Sequence, residues 1–200
     1  MQDSIFKLAS LILDFGKVDR QTFHQDGLRP ESDTDHTVML GVLGAAFAAR
    51  LYEDLDLGRV AQFALVHNLV EVYAGDTPTL MDVNQEFFTQ KENREQEALD
   101  RIKKEFGADF AWVHETIEKY ERLDTKEARF VKVFDKILPK LTVILNNAKA
   151  INDKKLATRE GATKTFDLQR ESIKRLAYDM PELVELWESL IAKELDLIKN

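Results

Sequence analysis

The sequence predicts an all-helical bundle, and three observations predict it. Apolar residues recur at three- and four-residue spacing along almost the whole chain, which is the period of a helix face. Glycine and proline are scarce, 8 and 4 among 200 residues. Valine and threonine nowhere alternate with polar residues over a long run, so no half-buried strand is expected. With no internal repeat, low-complexity tract or interdomain linker, residues 1–200 read as a single domain large enough for a real core.

The elements follow in order. Residues 3 to 15 are amphipathic and end at Gly16. A polar connection with Arg20, His24, Gly27, Arg29 and Pro30 is too long for a minimal helix–helix turn, and long ordered loops are often functional. The second helix starts in Glu31-Ser32-Asp33-Thr34-Asp35-His36 and runs to about Tyr52. Asp33 or Thr34 is a fair N-cap, which puts His36 in the first turn, next to a loop rather than deep in a bundle. Gly41 and Gly44 let another helix approach this one closely. Residues 58 to 74 form a core helix stopped by Gly75 as a left-handed terminal residue, and Asp76-Thr77-Pro78 reads as a turn capping a short helix.

Residues 83 to 106 then make an outer helix with Phe87, Phe88, Ala98, Leu99 and Ile102 on one face and a solvated charged surface elsewhere. Gly107 ends it. A helix over 109 to 121 turns Phe110, Trp112, Val113 and Ile117 inward, with His114 incidental. Residues 125 to 149 are again a core helix, interrupted by Pro139, which cannot hydrogen-bond to the carbonyl of Asp135. Stretches 161 to 178 and 181 to 198 complete the bundle.

Composition narrows the function. With 36 acidic and 28 basic residues the net charge is −8, which argues against a general nucleic-acid or membrane-surface role. No cysteine is present, so disulfides, thiolate zinc sites and cysteine nucleophiles are excluded. No apolar run approaches the roughly 18 residues of a membrane span, and the first residues lack a basic signal-peptide region. A cytoplasmic location is expected.

Two places break the apolar pattern. In Ala64-Leu-Val-His67-Asn68-Leu-Val-Glu71-Val, six of nine residues are Ala, Leu or Val, yet His67, Asn68 and Glu71 crowd one edge of the helix. Asp135 lies between Phe134 and Ile137 in the other core helix. Buried polar and charged groups are costly without partners, so a cation is the expected partner.

His36, His67-Asn68 and Asp135, in this order, resemble the H…HD…D metal-binding pattern of the HD-domain phosphohydrolases. Arg20, Glu31, Glu71, Gly75-Asp76 and Pro78 extend the resemblance to the small bacterial 5′-deoxynucleotidases and phage dATP-removing enzymes of that superfamily, over roughly residues 15 to 140. The resemblance implies a helical bundle holding one divalent metal (Mn, Co, Zn or Fe, with Mg the poorer fit) on His36, His67, Asn68 and Asp135. It also implies catalytic roles for Glu71 and Asp76, and substrate contacts from Arg20, Glu31, Thr77 and Lys136. The expected substrate is a deoxynucleotide such as a 5′-monophosphate or dATP, in a homo-oligomer with no nucleic-acid polymer and no membrane as partner.

One position departs from the pattern, because Asn68 stands where the family has aspartate. An amide offers a carbonyl oxygen but no negative charge, which makes it a poor ligand for a hard divalent cation. Impaired activity is expected. Since Glu71, Asp76, Arg20 and Asp135 all stand, one deliberate replacement fits better than drift, which would erode several positions. A non-catalytic nucleotide-binding or sensor protein is the alternative.

Overall fold

The computed structural model describes residues 1–76 and 85–199, the side chains of residues 85–88 excepted. Among them the chain forms helices α1 (Gln2–Phe15), α2 (Asp33–Leu51), α3 (Leu57–Val66), α4 (Glu71–Ala74) and α5 (Gln85–Phe106). Helices α6 (Ala111–Glu121), α7 (Lys126–Leu145), α8 (Lys149–Lys154), α9 (Arg159–Leu176) and α10 (Pro181–Leu197) follow. One sheet of two short strands, β1 (Asp19–Phe23) and β2 (Pro30–Ser32), accompanies them. The fold is all-α, as the apolar spacing predicts, and no described helix is long and apolar enough to cross a membrane. The expected turn at Thr77 and Pro78 and the inward faces of Phe87 and Phe88 lie outside the described residues. Two compact units divide the chain: residues 1–19, 32–76 and 85–128, and residues 20–31 and 129–199.

One apolar cluster of the first unit joins α1, the α3–α4 segment, α5 and α6. Leu11 and Phe15 of α1, Val66, Leu69 and Val70, Ala98, Ile102 and Phe106 of α5, and Val113 and Ile117 of α6 are all buried in it. Each of its Val, Leu, Ile and Phe side chains contributes about 1.5–3 kcal/mol when fully buried. Trp112 is a correction to the sequence reading, at 48% exposed. It sits one position off the stripe formed by residues 113 and 117, which turns it about 100° away from the core. Gly107 ends α5 as expected: its N–H bonds the Lys103 carbonyl at 2.9 Å, and a Cβ there would lie 2.5 Å from that oxygen.

Helix α2 begins one residue earlier than Asp33 as N-cap would have it, and two earlier than Thr34 would. The cap is Ser32, whose hydroxyl accepts from the Asp35 N–H at 3.1 Å while Asp35 accepts from the Ser32 N–H at 3.0 Å. Two of the orphan donors of the helix start are thereby satisfied reciprocally. His36 falls in the first turn as expected, but it is fully buried rather than beside a solvated loop. Gly41 faces Ala64 of α3, where an added Cβ would meet the alanine methyl at 4.0 Å, so the two helices approach closely.

The continuous helix expected over 58 to 74 is broken. Between α3 and α4 the backbone closes tighter bonds, from the Leu69 N–H to the Val66 carbonyl (3.0 Å) and from the Glu71 N–H to the Asn68 carbonyl (2.8 Å). These span three residues instead of four. The four-residue pattern resumes with Ala74 to Val70 (3.0 Å) and Gly75 to Glu71 (2.8 Å), and Gly75 then takes a positive φ of 75°.

In the second unit, the expected polar loop is a hairpin. The His24 N–H donates to the Arg29 carbonyl at 3.0 Å and Gly27, at φ 70°, donates to the His24 carbonyl at 2.8 Å. Thr22 donates its hydroxyl to Glu31 across the strands, and Asn146 donates to the Phe23 carbonyl at 3.1 Å, fastening the hairpin to the end of α7. Strands of five and three residues are too short to leave an alternating signature. The helix expected over 125 to 149 also divides, because Asn147 and Ala148 both adopt left-handed conformations before α8. Phe130 and Phe134 of α7 stack at 5.5 Å, and Phe166 meets Trp187 edge-on at 6.4 Å.

Candidate metal centre

The close approach of α2 and α3 brings two histidines together. His36, the fourth residue of α2, is fully buried, and His67, at the end of α3, is 3% exposed. Their ring centroids lie 5.4 Å apart at an interplanar angle of 40°. His67 Nδ1 is 2.8 Å from the Ala64 carbonyl oxygen. A carbonyl only accepts, so Nδ1 carries a proton, and in the neutral ring the lone pair is on Nε2. Tyr120 of α6 meets the His67 ring edge-on at 6.3 Å and is itself packed by Phe63 at 5.9 Å. The ring's tautomer and orientation are therefore set by its surroundings.

Asp135 is half-buried on α7, between Phe134 and Ile137, both almost completely buried. His36, His67 and Asp135 each offer one ligand atom, and these three atoms all lie within 4.8 Å of one another. Two imidazole nitrogens and a carboxylate oxygen at that separation fit one divalent transition metal, whose ligand bonds are about 2 Å long. Of the ten site residues the sequence singles out, these three form the only group among the described residues with the geometry to hold a metal ion.

The remaining positions are placed as follows. Asn68 directly follows His67 and is half-buried, in the tight turn before α4. Glu71 opens α4 and is 5% exposed, and Asp76 is half-buried just after Gly75. Glu31 is 3% exposed and accepts the Thr22 hydroxyl, while Arg20 and Lys136 are half-buried on β1 and α7. Thr77 lies outside the described residues.

Sequence reasoning passed over two contributors. The Ala64 carbonyl and the Tyr120 ring both touch His67, yet an alanine and a tyrosine at helical spacing carry no mark that separates them from ordinary core residues. His114 is buried on α6, 3.4 Å from where a Cβ on Gly107 would be, which agrees with a packing role.

Several known proteins resemble this chain. Human 5′-deoxynucleotidase HDDC2 is 32% identical over 108 residues, 54% of this chain and 50% of that protein. The Xenopus laevis protein of the same name is 33% identical over 114 residues, 54% of this chain and 51% of its own. The chain thus spans about half the length of the curated relatives it matches. Among solved structures, a protein from Magnetospirillum magnetotacticum described as a predicted metal-dependent phosphohydrolase superposes with a TM-score of 0.72 at 24% identity, covering 97% of this chain and 94% of that one. A conserved hypothetical protein from Pyrococcus furiosus gives a TM-score of 0.60 at 20% identity, covering 92% and 99%. These structural likenesses concern the fold. The family model for the HD domain matches residues 16–177, a stretch that includes both histidines and Asp135, and the chain belongs to that family.

Proposed function

We propose that this chain is a metal-dependent phosphohydrolase, a single HD domain acting in the cytoplasm on deoxynucleotides, either 5′-monophosphates or triphosphates such as dATP. The observation that supports it most is the group formed by His36, His67 and Asp135, with one ligand atom each inside 4.8 Å. Relatives named 5′-deoxynucleotidase support the substrate class. A divalent metal bound there, Mn, Co, Zn or Fe, supplies Lewis acidity to the phosphoryl oxygen and lowers the pKa of a coordinated water.

The chain's own residues then have distinct tasks. His36, His67, Asp135 and the side-chain amide oxygen of Asn68 hold the ion. Glu71, buried at the start of α4, orients the attacking water or takes its proton, and Asp76 approaches the sugar 3′-hydroxyl or that water. Arg20 clamps the phosphate, since a planar guanidinium matches that anion. Glu31, Thr77 and Lys136 line the substrate. Asn68 withdraws one negative charge from the ion, which lowers affinity and activity.

Phosphate release from deoxynucleoside mono-, di- and triphosphates with Mn or Co, measured for the chain as it stands and for Asn68→Asp, tests the proposal. Release by Asn68→Asp supports it; no release from any of these by either protein overturns it. Asn68 also favours a second reading, a nucleotide-binding or sensor protein that has lost turnover. Tight deoxynucleotide binding by calorimetry, with no release even from Asn68→Asp, supports that one. We further propose that the chain forms a homo-oligomer, supported by Phe6, Leu13, Val38 and Val42 at 68%, 72%, 58% and 64% exposed in the first unit. A light-scattering mass near 23.0 kDa would refute it.

A further inference from the structure

Helix α4 is a single turn, Glu71–Ala74. A helix that short does not hold itself, because fixing the first turn costs more than its one or two hydrogen bonds return. Its start is held from the core side: Leu69 and Val70 are buried in the apolar cluster together with Ile102 and Phe106 of α5. Its end is held through Tyr73. The ring lies under the Arg101 guanidinium, 3.6 Å from its centre, and the hydroxyl donates to Glu105 Oε2 at 2.8 Å. Arg101 Nε donates in turn to Glu105 Oε1 at 2.8 Å, so the three side chains close on one another. Arg101 and Glu105 are one turn apart on α5, and the residues that follow each of them, Ile102 and Phe106, fix that stretch in the core. Buried Glu71 therefore lies between two anchors, and Gly75 and Asp76 follow directly after the second.

We propose that Tyr73, Arg101 and Glu105 are positioning residues: they pin the end of α4 to α5 and thereby hold Glu71 and Asp76 in place. The inference rests on the roles proposed above for those two carboxylates and adds three side chains that no metal-binding pattern includes. An exposed Arg–Glu pair contributes little to global stability, so the effect of this clasp is local. His36 and His67 lie on α2 and at the end of α3, ahead of the Leu69–Val70 anchor. Loosening the far end of α4 thus reaches turnover and not ion binding.

The test uses the full chain with either Asn68 or Asn68→Asp, whichever releases phosphate from a deoxynucleotide with Mn²⁺. It reads kcat and KM, Mn²⁺ affinity by calorimetry, and hydrogen exchange of the Ala74 and Gly75 amides, which close α4. Tyr73→Leu is expected to lower kcat about 10- to 100-fold and to speed exchange at both amides, with Mn²⁺ affinity at the parent value. Tyr73→Phe, which keeps the ring for Arg101 to cover, should recover part of kcat. A merely structural residue would lower the melting temperature and leave kcat of the folded protein alone. Folded Tyr73→Leu with parental kcat and exchange overturns the proposal, and so does a loss of Mn²⁺ affinity equal to the loss of kcat. Where Tyr73→Leu fails to fold, Arg101→Ala, at an exposed side chain, decides on the same readings. If neither parent releases phosphate, the functional reading itself falls and takes this inference with it.

Discussion

His67 donates a hydrogen bond from Nδ1 to the carbonyl of Ala64, 2.8 Å away and three residues earlier on α3. The bond fixes which nitrogen presents its lone pair, and the backbone supplies the orienting acceptor that metal-bound imidazoles usually have. His67→Gln keeps a side chain that can reach the carbonyl but removes the ring nitrogen. Mn²⁺ affinity should fall by at least about 10- to 100-fold, read by calorimetry. Unchanged affinity would remove His67 from the ligand set.

The reciprocal cap between Ser32 and Asp35 holds the turn that carries His36. Ser32→Ala leaves the Asp35 N–H without its acceptor and should cost about 1 kcal/mol in urea unfolding. Ser32→Asp, which can still accept, should recover most of it. Equal losses for both would show that the cap matters for its packing and not for its oxygen.

Gly75 combines φ 75° with ψ 149°, a region that only glycine occupies readily. A Cβ there would meet nothing within 4 Å among the described residues, so the cost expected for Gly75→Ala is that of the backbone conformation, about 1–3 kcal/mol. Because Asp76 is the next residue, the same change should lower the turnover of an active chain. Equilibrium unfolding and initial rates measure the two effects separately.

Tyr73 of α4 lies under the Arg101 guanidinium, 3.6 Å from the ring centre, and donates its hydroxyl to Glu105 at 2.8 Å. Burial, then the bond to Glu105, push the phenol up to about 12 from an ordinary 10.0. The folded state holds the phenolic proton more tightly than the unfolded one. Its contribution to stability is therefore complete below pH 10.0 and disappears as the pH rises towards about 12. Ultraviolet titration should include a tyrosine that ionises near pH 12, and Tyr73→Phe should remove one such group.

Much of this was legible in the amino-acid order, and the failures have physical causes. The stripes of apolar residues in α1, α5 and α6 mark real buried faces because one period governs their burial. His67 and Asp135 were visible because each is a polar residue in an apolar run, a conflict that burial energetics makes conspicuous, whereas His36, among polar neighbours, was found only through the metal-binding pattern it completes. The β1–β2 hairpin escaped notice because its strands are shorter than the window in which alternation registers. The interruption after Val66 left no glycine or proline behind: Leu69 and Val70 keep their apolar stripe through the tight turn and stay in the core. The Ser32 cap was missed by one residue, since Ser32, Asp33 and Thr34 are all good caps and only geometry chooses among them.

That interruption has an effect on angular phase. Along an uninterrupted α-helix, residues 67 and 71 differ by about 40°, and their side chains would reach for the same point. Overwinding through Asn68 and Leu69 advances the chain by close to 120° per residue instead, so Glu71 leaves His67's azimuth by a large fraction of a quarter-turn. Under the proposed function, that rotation takes the Glu71 carboxylate out of the ligand set and leaves it to the attacking water.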